Sequence, residues 1–148
     1  MNVMQSEGQN RVVVIGLQPG ELLLESIRQV VREHNVQNGA VVSGIGTLKT
    51  CQMHYVTHTG FPPADRFYTL VDKPLELLSV SGLIADGEPH LHIVVSCGEK
   101  EVYAGHLEPN SAVLYLAEIA IQEFSGVKLI RRRDPVHNVK LLGPKDQD

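Results

Sequence analysis

The stretch that decides the fold is His90–Leu107, which reads HLHIVVSCGEKEVYAGHL. Two β-branched, apolar segments, His90–Cys97 and Glu101–Leu107, flank the short polar segment Gly98–Lys100. This pattern predicts a β-hairpin with a three-residue loop. Alternate residues of a strand point to opposite faces, so one face of this hairpin is suited to a core. The residues on that face are Leu91, Ile93, Val95, Tyr103 and Leu107.

The other face of the hairpin carries three histidines. If the loop has three residues, Cys97 pairs with Glu101 and His92 lies directly opposite His106. Directly opposed residues have Cβ atoms about 4.5–5.5 Å apart. His90 lies two residues before His92 on the same face, diagonal to His106. The spacing therefore predicts that three imidazoles lie close together.

Three converging imidazoles are a candidate site for a divalent transition metal ion. Zinc is the first choice, because this borderline ion accepts imidazole nitrogen at about 2.0–2.1 Å. Three protein ligands would leave a fourth position for water or a small ligand. Two alternatives stay open. A loop of two or four residues would turn His106 to the other face, and the histidines could instead form a polar, hydrogen-bonded strand surface.

The remaining sequence predicts one helix among several strands. Glu21–His34 follows the Pro19-Gly20 turn and is amphipathic, with apolar residues recurring at helical spacing. β-branched or apolar segments predict strands at Arg11–Leu17, Ala40–Leu48, Thr50–Thr57, Leu75–Ile84, Val127–Arg131 and Val139–Leu142. The fold class expected from one helix against many antiparallel strands is α+β.

The segment Ala112–Phe124 has conflicting signals. Alanine, leucine and glutamate favour a helix there by intrinsic propensity. Val113, Tyr115, Ile119 and Ile121 share one parity, however, as the residues of one strand face do. Leu114, Leu116 and Phe124 are apolar on the other parity. If this segment is a strand, we expect one of its faces to contact something other than the chain's own core.

Size and composition predict one soluble domain over residues 11–142, with flexible tails at residues 1–10 and 143–148. No apolar run approaches the roughly 20 residues that cross a bilayer, and the chain has only two cysteines, so we expect a cytoplasmic protein. The net charge is −4, and the one basic cluster is Arg131–Arg133. Nucleic-acid binding by this chain alone is therefore not expected, because DNA-binding domains usually carry a positive surface.

The sequence assigns no catalytic residue. Glu76 and Glu118 each lie within an apolar strand segment. Either carboxylate could lie near a ligand or could be a paired structural group, and the sequence does not decide between these roles. No nucleophile motif or general base accompanies the histidines, so whether the protein is an enzyme stays open.

Taken in order, several segments resemble the plants-and-prokaryotes-conserved (PPC) family, in its stand-alone prokaryotic form. They are Pro19-Gly20-Glu21 with the helix that follows, Ser43–Leu48, Glu76–Gly82, His90-Leu91-His92, Gly105-His106-Leu107 and the strand that carries Glu118. One departure is Ala104, where the family commonly has glycine. The resemblance spans residues 11–133. It rests on the order and spacing of the segments, since no single segment is specific to the family.

The resemblance implies a mainly antiparallel α+β fold with one principal helix, in which Ala112–Phe124 is a strand. It also implies a homotrimer, with Glu118 as a candidate polar group at the subunit boundary. A metal at the positions of His90, His92 and His106 is implied as well. We therefore expect a trimeric metal-binding protein of undefined biochemical role, with a zinc site open to water or a small ligand. The alternatives are a DNA-binding or transcription-associated module and an interaction scaffold with a structural metal. The AT-hook that carries DNA binding in plant relatives is absent from this sequence.

Overall fold

The computed structural model describes residues 2–6, for their backbone, and residues 11–145. Within this part of the chain there are eleven strands and one α-helix. The strands are β1 Asn2–Ser6, β2 Val12–Leu17, β3 Asn38–Leu48, β4 Cys51–Val56, β5 Asp65–Leu70, β6 Leu75–Ala85, β7 Glu88–Cys97, β8 Glu101–Leu107, β9 Val113–Glu123, β10 Leu129–Arg133 and β11 Lys140–Pro144. The helix, α1, is Leu23–Glu33.

Nine strands form one antiparallel sheet in the order β1-β2-β9-β3-β6-β7-β8-β4-β5. Strands β10 and β11 form a separate two-stranded sheet. The fold is therefore mostly antiparallel sheet with one principal helix in the described residues, as the sequence predicts. In that part of the chain no helix has the length and apolar character needed to cross a membrane.

Helix α1 covers one face of the sheet with its apolar side. Leu23, Ile27 and Val30 are fully buried, and they recur at the spacing that places side chains on one helical face. Each such side chain stabilises the fold by about 1.5–3 kcal/mol through burial of apolar surface. Glu25 lies in the first turn and Arg32 in the last, as the helix dipole favours. The helix is shorter at both ends than Glu21–His34, because Leu22 is extended and His34 caps the last turn.

The hairpin of β7 and β8 has the register that the three-residue loop predicts. Cys97 pairs with Glu101, and His92 pairs with His106. Leu91, Ile93, Val95 and Leu107 are buried in the core beneath α1, and Tyr103 packs against that core. The histidines consequently lie on the opposite, outer face of the sheet.

The outer face of the central strands exposes a group of apolar side chains, which we call the outer apolar face. It is formed by β3, β6 and β9, three adjacent strands of the sheet. Its exposed members are Val42, Ile45, Leu78, Tyr115 and Leu116. Solvated faces of antiparallel sheets usually carry polar residues, so this surface is unusual for a monomer.

The ambiguous segment is a strand, β9, as the alternation of its apolar residues indicates. Tyr115, however, does not share a face with Val113, Ile119 and Ile121, which are buried. The pairing of β3 with β9 shifts register between Gly46 and Leu48. The additional residues on β9 form a bulge, which turns Tyr115 outward, and its side chain is 69% exposed. Val113 and Ile119 lie in the core on either side of the bulge.

Three further strand segments differ from the sequence prediction. Strand β5 was not predicted; none of its side chains is fully buried, so its three apolar residues do not mark a core-facing strand. Residues 2–6 pair with β2, and residues 143–144 belong to β11, although both segments were expected to be tails. Strand pairing is made by backbone hydrogen bonds, which do not depend on side-chain type. The amino-acid composition of these segments therefore does not reveal that they pair. The rest of the predicted tails, residues 1, 7–10 and 146–148, lies outside the described residues.

Candidate metal centre

The three histidines of the hairpin lie within ring-contact distance of one another. The ring centroids of His90 and His106 are 4.9 Å apart, those of His90 and His92 are 5.5 Å apart, and those of His92 and His106 are 5.6 Å apart. An ion that binds one nitrogen of each of three imidazoles at 2.0–2.1 Å, at tetrahedral angles, places the centroids about 5 Å apart. The three rings are therefore close enough to share one ion if their nitrogens turn toward a common point, whereas the donor atoms that already lie within 4.8 Å of one another in the described residues are those of His54, His106 and Glu108.

Two glycines allow the neighbouring strands to approach these histidines. Gly82 of β6 has a φ of +151°, and a Cβ at this position would overlap the carbonyl oxygen of His90. A Cβ at Gly105 of β8 would come within 2.7 Å of the carbonyl oxygen of His54. A side chain at Gly82 would push β6 away from β7, which carries His90 and His92, and a side chain at Gly105 would push apart β8 and β4, which carry His106 and His54.

A fourth histidine, His54, joins the cluster from strand β4. It lies opposite His106 in the pairing of β4 with β8. The two rings stack, with centroids 4.4 Å apart and an interplanar angle of 22°. His54 Nε2 is also 4.0 Å from Asp65 Oδ1. The candidate site thus takes side chains from three strands.

The carboxylate of Glu108 faces the Nδ1 atoms of the stacked His54 and His106 rings. Its Oε1 is 2.6 Å from His54 Nδ1 and 3.2 Å from His106 Nδ1. The second contact is not aligned for a hydrogen bond, and the buried His106 Nδ1 has no hydrogen-bond partner among the described residues. His54, His106 and Glu108 each place one donor atom within 4.8 Å of the other two. These three side chains form a second donor set, which shares His106 with the first.

The electrostatic environment favours neutral imidazoles. Burial lowers the pKa of His90, and the neighbouring His106 and Arg131 lower it further. Burial also lowers the pKa of His106, as does His54, while Glu108 acts in the opposite direction. Only the neutral ring can bind a metal ion, so both shifts prepare these side chains for coordination near neutral pH.

The four histidines line an open pocket of about 430 Å³ on the outer face. Its wall is completed by Tyr55, Val56, Ala104 and Gly105. The pocket offers imidazole nitrogens beside apolar groups, which suits an ion with a small ligand on it.

The sequence profile of the Plants and Prokaryotes Conserved (PCC) domain matches residues 4–125. The chain belongs to this family. It is the family that the sequence resembles, and the match covers α1 and strands β2 to β9 together with the histidine pocket.

Known relatives of this PCC domain differ widely in length. The bifunctional protein GlmU of a Synechococcus strain is 27% identical over 128 residues, which make up 86% of this chain and 19% of GlmU. The chain therefore spans about a fifth of that relative. A metal-containing protein from Archaeoglobus fulgidus has the same fold, with a TM-score of 0.72, 24% identity and coverage of 95% of this chain and 97% of that one. A protein from Bacteroides thetaiotaomicron to which DNA binding has been ascribed has a TM-score of 0.78, 18% identity and coverage of 95% and 96%.

The other residues that the sequence singled out lie away from the pocket. Glu76 is exposed on β6 and borders a separate depression with Thr47 and Tyr115. Glu118 is exposed on β9, opposite Ile45 of β3. Neither carboxylate contributes to the described wall of the histidine pocket.

The basic cluster, which follows the residues matched by the PCC domain, is partly structural. Arg131 donates hydrogen bonds to the carbonyl oxygens of Leu83 and Glu88, at 2.8 and 2.9 Å. These bonds tie β10 to β6 and to the start of β7. The arginine is thus engaged with the protein's own backbone.

Sequence reasoning missed His54 and Glu108. His54 lies in a strand that was predicted, but the pairing of β4 with β8 joins segments separated by about fifty residues. Glu108 follows β8 directly, and its position two residues after His106 was the available signal. A carboxylate near a candidate ligand is a common orienting group, so this spacing could have indicated it.

Proposed function

We propose that this protein binds one divalent transition metal ion per chain, Zn²⁺ by preference, through His90, His92 and His106. The observation that supports the proposal is the closeness of the three rings on one face of the sheet, with centroids 4.9 to 5.6 Å apart, from which ring rotation would bring one nitrogen of each onto a shared ion. The lowered pKa values of His90 and His106 favour the form that binds metal. A metal-containing protein from Archaeoglobus fulgidus has the same fold, which supports metal binding in general.

Zinc held by three imidazoles would keep a fourth position for water or a small ligand, and such an ion lowers the pKa of its bound water. The pocket around the histidines is open, so a ligand can reach that position. We propose this ligand-accessible centre as the functional part of the molecule.

Elemental analysis of protein purified without a histidine tag tests the proposal. We expect about one zinc ion per chain in the wild-type protein and none in the double variant His92→Ala/His106→Ala. The variant His137→Ala is the control, because this exposed histidine contacts Asp134 and Phe61, outside the pocket. Unchanged metal content in the double variant would show that the assignment is wrong.

We further propose that the protein is a homotrimer assembled through the outer apolar face. Ile45, Leu78 and Leu116 are each nearly half exposed on adjacent central strands, which a second copy could cover. Closed symmetric homo-oligomers are the common way to bury such a surface. Glu118, opposite Ile45, would then lie at the subunit boundary.

DNA binding is the second candidate function, because a protein with this fold has been ascribed that activity. The charge of this chain opposes it. The net charge is −4, and Arg131 is engaged by backbone carbonyl groups. Phosphate neutralisation drives nucleic-acid binding, so we expect only weak binding at physiological salt. Tight, sequence-selective binding in a titration at several salt concentrations would favour this second function.

A further inference from the structure

Glu108 is held rigidly at the end of β8. Its backbone N–H donates to the carbonyl oxygen of Gln52 at 3.0 Å, and its own carbonyl oxygen accepts from Ser111 Oγ at 3.2 Å. Ser111 is fully buried, and its Oγ accepts from the N–H of Gln52 at 3.0 Å. The carboxylate therefore extends from a backbone position that is fixed between β4 and β8.

A single oxygen of Glu108 faces two imidazole nitrogens. Oε1 is 2.6 Å from His54 Nδ1 and 3.2 Å from His106 Nδ1. An ionised carboxylate only accepts hydrogen bonds, and its oxygens can accept more than one. A neutral imidazole that bonds to it must therefore carry its proton on Nδ1. A small rotation of the His106 ring or of the carboxylate would align the second bond and satisfy the buried nitrogen.

We infer that Glu108 is the positioning residue of the metal centre, fixing the Nδ1–H tautomer of both His54 and His106. In that tautomer each ring keeps its lone pair on Nε2. Nε2 of His106 is then available to the ion, and His54 is a fourth imidazole in the pocket wall, available to a ligand on the ion. The role of Glu108 in metal binding rests on the proposed function. Its effect on the histidine tautomers does not, because it can be measured in the metal-free protein.

Direct coordination by His54, His106 and Glu108 is the competing arrangement. Ligand nitrogen and oxygen atoms that share a tetrahedral zinc ion are about 3.3–3.4 Å apart. His54 Nδ1 and Glu108 Oε1 are only 2.6 Å apart, which is a hydrogen-bond separation. His106 Nδ1 and Glu108 Oε1, at 3.2 Å, are close to the ligand separation, so it is the His54 contact that favours Glu108 as an anchor over Glu108 as a ligand.

The tautomers can be read from long-range ¹H–¹⁵N correlation spectra of the metal-free, ¹⁵N-labelled protein. We expect the Nδ1–H form for His54 and His106 in the wild type and a shift toward Nε2–H in Glu108→Ala. Glu108→Gln keeps a carbonyl oxygen and should retain part of the Nδ1–H population. The exposed carboxylate variant Glu76→Gln is the matched control and should leave all four pocket histidines unchanged. An Nε2–H tautomer at His106 in the wild type would overturn the inference.

Zinc affinity provides the second measurement, by competition with a chromophoric chelator. Loss of an orienting carboxylate typically weakens metal binding 10- to 100-fold, so we expect that loss for Glu108→Ala and a smaller one for Glu108→Gln. His54→Ala should keep one zinc per chain, with affinity within about threefold of the wild type, because His54 is not a ligand in this arrangement. Circular dichroism confirms that each variant is folded.

The two measurements separate the inference from the proposed function. If Glu108→Ala and His54→Ala both abolish zinc stoichiometry, the ion lies on the competing donor set and the anchor role is wrong. If the wild type binds no zinc, the proposed function fails, and the tautomer spectra alone decide the role of Glu108.

Discussion

Replacing Gly82 with alanine should destabilise the protein far more than the same change at Gly98. Gly82 has a φ of +151° on β6, where it pairs with Val41 on one side and Leu91 on the other. An added Cβ would overlap the carbonyl oxygen of His90 and approach Leu91 Cα to 3.0 Å. These contacts are backbone atoms of a central strand, so they can be relieved only by moving β6 away from β7.

The magnitude follows from two contributions. A non-glycine residue in such a backbone conformation costs about 1–3 kcal/mol. Weakening one or two adjacent hydrogen bonds between β6 and β7 adds about 0.5–1.5 kcal/mol each. We therefore expect Gly82→Ala to lower the free energy of unfolding by about 3–4 kcal/mol. Gly98 also has positive φ, +60°, but an added Cβ meets nothing within 4 Å, so Gly98→Ala should cost only about 1–2 kcal/mol.

Urea denaturation of both variants, followed by circular dichroism, measures the difference directly. In thermal unfolding, a domain of this size loses about 2–4 °C in Tm per kcal/mol, so Gly82→Ala should melt roughly 10 °C lower than the wild type. The zinc affinity of Gly82→Ala should also be lower than that of the wild type, because His90 lies on the displaced strand. Equal destabilisation by the two substitutions would refute the steric argument.

Two further predictions concern pH and assembly. The pKa values of His90 and His106 are lowered in the folded chain, so the native state binds fewer protons than the unfolded state. The free energy of unfolding of the metal-free protein should therefore decrease as the pH falls below about 6.5, the ordinary histidine value, and His90→Gln should reduce this slope. An unchanged slope in urea titrations across pH would contradict this. For assembly, light scattering should give three times the chain mass, and Ile45→Asp should yield monomers while the control Val136→Asp, at a 79% exposed loop residue, should not.

The local parts of the site could be predicted from the sequence because they depend on one short loop. The turn Gly98–Lys100 sets the register of β7 and β8, and that register alone places His92 opposite His106. The alternation of apolar residues with histidines then defines which face is the core. Nothing beyond the hairpin is needed for these conclusions.

The nonlocal parts could not be predicted in the same way. His54 meets His106 only because β4 pairs with β8 across a long segment of chain, and no sequence pattern specifies that partner. The segment of β9 has helical propensity, yet it is a strand because it lies between β2 and β3 in the centre of the sheet. Tertiary context overrides local propensity there, as it commonly does for central strands. The bulge that exposes Tyr115 likewise depends on the partner strand.

Anomalous diffraction at the zinc absorption edge, from crystals of the zinc-loaded protein, tests the central claim most directly. The claim predicts one anomalous peak on the outer face of the sheet, 2.0–2.1 Å from a nitrogen of each of His90, His92 and His106. A peak on the opposite side of the His106 ring, between His54 and Glu108, would contradict it, as would the absence of any peak in the pocket.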